Sequence, residues 1–316
     1  MRGKLTVQFA LLALAWGASF LFIKIGLEGL SPAQVVLGRL VTGAAALAVI
    51  AAVTRQRLPR EPVVWAHLTA VAVLLCVVPF LLFAWAEQHV DSGLASIYNA
   101  TTPLMTMLVA LVALPGERLT RSGLAGLAVG FAGVLVVLAP WQGSAEGTLA
   151  AQAACLAATS CYGLAFVYLR RFVSPLGLPT VAVTTVQVGV GAVLMLAAAP
   201  FVAISPVQLS WRVVLSVTVL GVVGTGLAYV WNTNVVAGWG ATTAATVTYL
   251  TPVVGVALGI VVLGERLSWH EPVGALVVLL GMALVQRRTG AATQRRRAKN
   301  RTPQDSQRRR ETVVGD

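Results

Sequence analysis

Apolar stretches separated by short polar breaks dominate the pattern of the 316-residue chain. A transmembrane helix needs roughly 20 consecutive, mostly apolar residues, and the chain contains ten stretches of about that length. They lie near residues 5–27, 32–54, 63–86, 92–114, 121–140, 148–169, 179–203, 211–236, 241–263 and 270–286. Stretches such as 190–204 are apolar on every side, which is typical of helices in lipid and not of barrel strands. The pattern therefore predicts an all-α integral membrane protein with ten transmembrane helices.

The composition agrees with this interpretation, because 57% of the residues are hydrophobic, 11% are charged and the mean hydropathy is +0.82. Soluble chains contain about 25% charged residues. Cys76, Cys155 and Cys161 lie inside apolar stretches without the spacing of metal ligands, so we expect packing residues and no metal site. The three histidines are scattered, and no Ser/His/Asp cluster is present. The sequence therefore predicts neither a cofactor nor an enzyme.

The distribution of charges predicts the orientation, because Lys and Arg collect in the short cytoplasmic loops of membrane proteins. With the N-terminus inside, the predicted inner loops contain Arg55, Arg57, Arg60, Arg118, Arg121, Arg170 and Arg171, and the outer loops contain Glu28, Glu87, Asp91 and Glu146. The bias fades after the seventh stretch, where Arg212 and Arg266 fall on the outer side. We expect a multi-pass protein of the cytoplasmic membrane with both termini in the cytoplasm.

A basic tail follows the last stretch. Residues 287–316 contain ten basic and three acidic side chains, which accounts for +7 of the net charge of +12. This composition is typical of a disordered segment. We expect the tail to bind anionic lipid of the inner leaflet, where each basic residue near the surface contributes about 1 kcal/mol. Nucleic-acid binding is the alternative, but no aromatic residue accompanies the charges, so the sequence predicts no nucleic-acid partner.

The tetrapeptide GERL occurs twice, at 116–119 and at 264–267, and it marks a longer internal repeat. The matching positions, at offsets of 146 to 149 residues, are Trp16-Gly17 and Tyr162-Gly163, Thr102-Pro103 and Thr251-Pro252, Gly126 and Gly274, and Gly133 and Gly281. Each copy contains five predicted helices, and because five is odd the second copy must enter the membrane from the opposite side. The sequence therefore predicts two inverted-topology five-helix repeats, at 1–140 and 141–286, followed by the tail.

The chain resembles the EamA-type transporters of the drug/metabolite transporter superfamily. Three segments carry the resemblance: TTPLMTMLVALVALPGERL at 101–119, LTPVVGVALGIVVLGERL at 250–267 and AWGASFLFIKIGL at 15–27. The resemblance implies ten helices in two inverted halves, a central cavity, and export of amino acids or related metabolites. Small multidrug exporters of related architecture use a glutamate in the first helix. Residues 5–27 contain no acid, so we expect no efflux of cationic drugs.

Ionisable residues inside the predicted helices are candidates for the transport site, because they are costly in lipid. Arg39 lies seven residues after Pro32 in an otherwise apolar helix, and we expect it to face the cavity and bind a substrate carboxylate or phosphate. An ion pair with Glu87, or binding to backbone carbonyls, is the alternative. Lys24 is the second candidate for substrate binding; snorkelling to the interface or pairing with Glu28 is its alternative.

Aromatic and amide side chains form a second candidate set for substrate binding. The resemblance implies that the cavity is surrounded by the helices carrying Trp16, Trp85, Tyr98, Asn99, Tyr162, Tyr229, Trp231, Asn232 and Tyr249. Tyr98, Asn99 and Tyr249 lie well inside their predicted helices, and a hydrated cavity would supply partners for their polar groups. An interfacial aromatic belt is the alternative for residues near helix ends.

Prolines and glycines predict hinges, turns and packing surfaces. Pro103 and Pro252 each remove a hydrogen bond from a predicted helix, and we expect kinks there that serve as hinges for alternating access. The two GERL copies are expected to be hairpin turns, in which Gly116 and Gly264 cap one helix and the following Glu lies near the N-terminus of the next. The glycines of the fifth and tenth helices predict a packing surface between the halves, with homodimerisation as the alternative.

Two functions follow from these features. The first is a secondary transporter that exports small metabolites by alternating access, with amino acids or related carboxylate-bearing compounds as substrates. The second is a lipid-headgroup flippase or another membrane function, such as a sensor. A monomer and a homodimer are both compatible with the sequence.

Overall fold

The computed structural model describes residues 2–114, 121–142 and 148–285. Over these residues the chain forms apolar helices and no strand. The helices are α1 (Arg2–Gly26), α2 (Pro32–Val53), α3 (Pro62–Ala86), α4 (Ser92–Ala113), α5 (Arg121–Leu138), α6 (Thr148–Leu176), α7 (Thr180–Val202), α8 (Trp211–Trp239), α9 (Thr243–Leu263) and α10 (His270–Val285). Eight of them are long and apolar enough to cross a membrane, while α5 and α10 are shorter. The first GERL copy and the basic tail lie outside the described residues.

Local capping signals set the helix boundaries. α2 begins with a capping box, in which the Ser31 hydroxyl accepts from the Gln34 N–H and the Gln34 Oε1 accepts from the Ser31 N–H at 2.8 Å. Pro32 occupies the first turn, where its missing N–H costs nothing. α9 ends at Gly264, whose φ of 69° is a left-handed conformation that favours glycine. The predicted cap at Gly264 is confirmed, whereas Gly116 lies outside the described residues.

Glycines allow helices from the two halves of the chain to cross closely. A Cβ atom at Gly17 of α1 would come within 2.9 Å of the Thr251 carbonyl oxygen of α9. A Cβ atom at Gly163 of α6 would come within 2.9 Å of the Thr106 nitrogen of α4. Gly17 and Gly163 are matched positions of the internal repeat. The same kind of close crossing therefore occurs twice, once between α1 and α9 and once between α6 and α4.

α5 and α10 pack through small residues along their length. Gly126, Gly130 and Gly133 of α5 lie against the backbone of α10 at Gly274 and Gly281. A side chain at Gly126 or Gly133 would meet backbone atoms of α10, which cannot move aside as a side chain can, whereas one at Gly130 would meet the Leu104 side chain of α4. The predicted glycine surface between the two halves of the chain is confirmed.

Regular helical geometry is interrupted at matched places. π-helical turns lie in α3 at Val73–Val77 and in α8 at Val222–Leu227, and their first residues are 149 positions apart. α4 is broken at 100–101, directly before the turn that contains Pro103. α9 is broken at Thr246, whereas Pro252 lies inside a continuous helical segment. The interruption expected at Pro252 therefore lies six residues upstream of it.

Two buried apolar clusters hold the helices together. The first joins α2, α3, α7 and α8 and contains Leu40 and Val188, both completely buried. The second joins α4, α5, α6 and α10 and contains Leu104 and Met282. The ring of Tyr162 in α6 packs against both clusters. The space between the two clusters is therefore the place where helices of both halves meet.

Alternate connections of the chain meet at one end of the bundle. The Gln208 N–H of the α7–α8 loop donates to the Gly29 carbonyl of the α1–α2 turn at 2.9 Å. The Lys24 ammonium at the end of α1 contacts the α3–α4 turn, and Glu265 of the α9–α10 loop contacts the start of α4. We call this end, formed by the α1–α2, α3–α4, α7–α8 and α9–α10 connections, the Lys24 end.

Candidate functional site

Arg39 lies buried between helices of both halves, with 8% of its surface exposed. Its Nε donates a hydrogen bond of 3.1 Å to the Thr225 hydroxyl of α8. Its guanidinium carbon lies 3.6 Å from the centre of the Phe80 ring of α3, where the negative face of the ring attracts a cation. Tyr162 of α6 and Tyr229 of α8 are further electrostatic neighbours. Arg39 thus occupies the kind of buried position that the sequence predicted.

The guanidinium has unused binding capacity. Among the described residues, no carboxylate lies within 4.0 Å of it, and its two terminal nitrogens have no hydrogen-bond partner. A guanidinium presents five N–H donors in a planar fork that matches a carboxylate or phosphate. The alternatives for Arg39, an ion pair with Glu87 or binding to backbone carbonyls, are not found in the described part of the chain. This side chain is therefore equipped to bind an anion.

The surroundings of the guanidinium come in pairs related by the internal repeat. Cys76 and Thr225, in the π-helical turns of α3 and α8, are 149 residues apart. Phe80 and Tyr229, one turn further on, have the same offset. Gln187 of α7 stands at the repeat position of the arginine and is 2% exposed. The site therefore has matched residue positions from both halves but a charge on one side only. π-helical turns are frequent at functional sites.

Lys24 binds the turn between α3 and α4. Its Nζ donates to the carbonyl oxygens of Glu87 at 2.6 Å and Val90 at 2.8 Å. Glu28 instead pairs with Arg212 of α8 at 3.5 Å, so the alternative of a Lys24–Glu28 pair is wrong. The ammonium group links α1 to the α3–α4 turn and helps to close the Lys24 end.

Glu265 of the second GERL copy caps a helix of the other half. Its carboxylate oxygens accept from the backbone N–H groups of Ser92 at 2.8 Å and Gly93 at 3.0 Å, in the first turn of α4. A carboxylate there satisfies free N–H groups and is favoured by the helix dipole. The sequence predicts that this Glu lies near the N-terminus of the next helix, whereas its carboxylate bonds to the start of α4. At the start of α10 the Ser268 N–H donates to Glu271 at 2.9 Å, and the two residues have the spacing of a capping box. Glu265 therefore ties the α9–α10 loop to α4 at the Lys24 end.

The predicted tyrosines and Asn99 divide between the site and the packed clusters. Tyr162 lies near Arg39, as described above. Tyr98 is 1% exposed, and its hydroxyl donates a hydrogen bond of 3.0 Å to Gln152 Oε1 of α6. The sequence predicts that a hydrated cavity supplies the partner of this hydroxyl, whereas in the structure a side chain does. Asn99 and Tyr249 are half-buried, and the Tyr249 ring packs against the cluster of α4, α5, α6 and α10.

The predicted tryptophans lie apart from the guanidinium. Trp16 and Trp231 are half-buried and pack against the same small apolar cluster of α1, α8 and α9, with Asn232 beside them in α8. Trp85 is 38% exposed and packs on His89, with ring centres 4.9 Å apart. Within the described residues, none of the three tryptophans has a hydrogen bond or ring contact with the arginine.

The sequence does not single out Phe80, Thr225 or Cys76, because Phe, Thr and Cys are ordinary residues of transmembrane helices. The signal that could have found them is the repeat offset of 149 residues. This offset relates Thr102 of α4 to Thr251 of α9, and it also relates positions of α3 to positions of α8. Glu265 and Gln152 are found only from the folded chain, because their partners lie 54 or more residues away.

Eight helices able to cross a bilayer, with a buried cation between them, define a multi-pass integral membrane protein. The model of the EamA-like transporter family matches residues 4–139 and again residues 149–287. The chain therefore belongs to the EamA-like transporter family.

Relatives of known name support the same class. A probable terminal-alkyne amino-acid exporter of Streptantibioticus cattleyicolor is 29% identical over 279 residues, covering 88% of this chain and 92% of that protein. A probable amino-acid metabolite efflux pump of Salmonella typhimurium is 26% identical over 284 residues, covering 86% and 91%. A solved crystal structure is similar in fold, with a TM-score of 0.64 and 21% identity over 92% of this chain and 99% of its own. The family and these relatives are named as transporters and not as enzymes.

Proposed function

We propose that this chain is a secondary transporter that exports amino acids or related carboxylate-bearing metabolites. The observation that carries the proposal is the buried Arg39 guanidinium, whose terminal nitrogens have no hydrogen-bond partner among the described residues. A substrate carboxylate would supply the negative charge and the two acceptors that the guanidinium lacks. The names of two relatives, a probable amino-acid exporter and a probable amino-acid metabolite efflux pump, agree with this substrate class.

Within this proposal, the substrate site lies between α2, α3, α6 and α8. Arg39 binds the carboxylate, and Tyr162 of α6, an electrostatic neighbour of Arg39, contributes its hydroxyl to the same site. Lys24 is a second cation on the path towards the Lys24 end. The path is completed by the other predicted residues Trp16, Trp85, Tyr98, Asn99, Trp231 and Tyr249, of which Tyr98 has its hydroxyl occupied by Gln152.

The proposed transport cycle rests on two inverted five-helix halves, residues 1–140 and 141–286. The helix contacts support this arrangement: α1 packs on α9 as α6 packs on α4, and α2 packs on α8 as α7 packs on α3. α2 with α7, and α5 with α10, pair across the middle. Exchanging the halves therefore interconverts these contacts, as expected for the inverted repeats that suit alternating access.

Hinges for this cycle are proposed near Pro103 and Pro252. The breaks at 100–101 in α4 and at Thr246 in α9 separate a short first segment of each helix from the segment containing the proline. At these breaks the regular helical pattern gives way to i→i−3 hydrogen bonds, from the Thr101 N–H to the Tyr98 carbonyl and from the Thr246 N–H to the Thr243 carbonyl. Such an interruption is where two segments change their relative tilt most easily.

The proposed orientation places both termini in the cytoplasm and the Lys24 end outside. The arginines of the α2–α3 loop, Arg55, Arg57 and Arg60, then lie on the cytoplasmic side, as the positive-inside rule expects. The basic tail at 287–316 would bind anionic lipid on the same side.

Transport into proteoliposomes tests the proposal. Purified protein would be reconstituted and offered a panel of radiolabelled amino acids, with Arg39→Gln as the site variant. Arg212→Gln is the matched control, because Arg212 is 48% exposed at the protein surface. We expect the wild type and Arg212→Gln to transport at least one amino acid, and Arg39→Gln to lose about 10- to 100-fold in efficiency, the value of one charge-assisted hydrogen bond. Absence of transport for every amino acid, or full activity of Arg39→Gln, would contradict the proposal.

A further inference from the structure

Glu87 has a buried carboxyl group without a hydrogen-bond partner among the described residues. It lies in the turn directly after α3, is 0% exposed, and neither side-chain oxygen has a hydrogen bond within the described residues. The backbone carbonyl of the same residue, by contrast, accepts a hydrogen bond from Lys24. A buried carboxylate without donors is unfavourable, whereas the neutral acid tolerates this environment far better. The structure therefore accommodates Glu87 in its protonated form.

The charged groups around Glu87 come from several elements. α1 contributes Lys24, α2 contributes Arg39, the α9–α10 loop contributes Glu265, and Asp91 lies in the same turn. α6 contributes the Cys155 thiol, which is neutral in its usual form. Neither cation forms an ion pair with Glu87 in the described part of the chain, because Lys24 is held by backbone carbonyls and Arg39 by Thr225. Burial, opposed by the nearby Lys24, raises the pKa of Glu87 well above its usual range.

Glu87 lies behind two contacts that close the Lys24 end. Lys24 binds the α3–α4 turn on one side, and Glu265 binds the N–H groups of Ser92 and Gly93 on the other. Export through this end, which is part of the proposed function, requires that both contacts open. Opening would admit water to the turn and allow the Glu87 carboxyl to ionise.

We propose that Glu87 is a proton-binding site that controls the opening of the Lys24 end. It holds a proton while this end is closed and releases that proton to the entering water when the end opens. Because the closed conformation binds the proton more tightly, lowering the pH stabilises the closed end and raising the pH stabilises the open end. The dependence spans the range from the ordinary carboxyl pKa of about 4.3 up to the raised value.

Amide hydrogen exchange of the full chain in lipid nanodiscs tests this proposal without any substrate. The Ser92 and Gly93 amides are bonded to Glu265, so after correction for intrinsic chemistry their exchange reports the opening equilibrium. In the wild type we expect this equilibrium to rise about tenfold per pH unit, the value for release of one proton. Glu87→Gln, which mimics the protonated acid, should remain closed and show no such slope. Glu61→Gln, at the exposed start of α3, is the control and should show the same pH slope as the wild type.

Asp91→Asn distinguishes the two acids of the turn. The pKa of Asp91 is also raised, first by partial burial and then by the negative charge of Glu265. Unlike Glu87, however, the Asp91 residue is exposed, and it lies directly before α4. We expect Asp91→Asn to keep the pH slope. A slope that persists in Glu87→Gln, or that disappears in Asp91→Asn alone, would overturn the proposal.

A second measurement uses the wild type alone. Infrared difference spectra across the same pH range should show the loss of one protonated, buried carboxyl group, and its absence would also overturn the proposal. A chain that transports no amino acid but shows the slope would refute the proposed function and leave Glu87 as a proton site. A chain that transports amino acids but whose amide exchange does not depend on pH would refute the Glu87 proposal and leave the proposed function standing.

Discussion

At the residue scale, Arg39 is a cation whose burial is only partly compensated. The Phe80 ring attracts the guanidinium and the Thr225 hydroxyl accepts one hydrogen bond, while the terminal nitrogens have no partner among the described residues. An uncompensated buried charge is costly, so such a residue persists where the charge has a use. Thr225 binds the Nε side of the fork, and in the proposed site the two terminal groups face the substrate.

This arrangement makes Thr225 a positioning residue. Thr225→Val keeps the shape of the side chain and removes the acceptor, so we expect the guanidinium to lose its orientation and the apparent substrate affinity to fall about tenfold, the value of one hydrogen bond to a charged group. Thr218→Val is the control on the same helix, because Thr218 is exposed and its hydroxyl bonds only to its own helix at Val214. Concentration-dependent transport would measure both, and equal effects of the two substitutions would contradict this role.

At the scale of helices, the sequence predicts what depends on neighbours along the chain. The apolar stretches and the Gly264 cap follow from local chemistry, and the structure has helices in these stretches and ends α9 at Gly264. The break at Thr246, the π-helical turns, and the cap that Glu265 supplies to α4 depend on distant contacts. Sequence adjacency placed Glu265 at the start of α10, because nothing local shows that α4 starts at the same end of the bundle.

The α5–α10 contact provides a prediction at this scale. A Cβ atom at Gly281 would overlap the Gly130 backbone of α5. Ala is the better helix former by about 1 kcal/mol, but overpacking against a fixed backbone costs about 1–3 kcal/mol, so Gly281→Ala should lower the thermal unfolding midpoint. Gly189→Ala is the matched control in α7, since a Cβ atom there meets nothing within 4 Å. Thermal unfolding in detergent measures both variants, and a Gly281→Ala protein as stable as Gly189→Ala would contradict the packing.

At the scale of the whole molecule, several helix contacts come in pairs related by the proposed inverted halves, but the charges do not. Arg39 is matched by the neutral Gln187, and Lys24 in α1 is matched by Arg170 in α6. The proposed site is therefore lined by both halves while its positive charge belongs to one, so we expect the anionic group of the substrate to bind on the side of Arg39.

The proposed topology predicts which loops a membrane-impermeant reagent can reach. In a background with the three native cysteines replaced, Gln88→Cys in the α3–α4 turn should be labelled in intact cells. Gln56→Cys in the α2–α3 loop should be labelled only after the membrane is permeabilised. Both positions lie in connections outside the helices and replace the same residue type. The opposite pattern would place the Lys24 end in the cytoplasm and contradict the proposed orientation.

Binding of a substrate carboxylate by Arg39 can be measured in one cycle of two ligands and two proteins. Equilibrium binding of a transported amino acid and of its methyl ester would be measured for the wild type and for Arg39→Gln. The ester lacks the negative charge, so we expect the wild type to prefer the acid by about 10- to 100-fold and Arg39→Gln to bind the two with similar affinity. An Arg39→Gln protein that keeps the full preference for the acid would show that the carboxylate binds elsewhere.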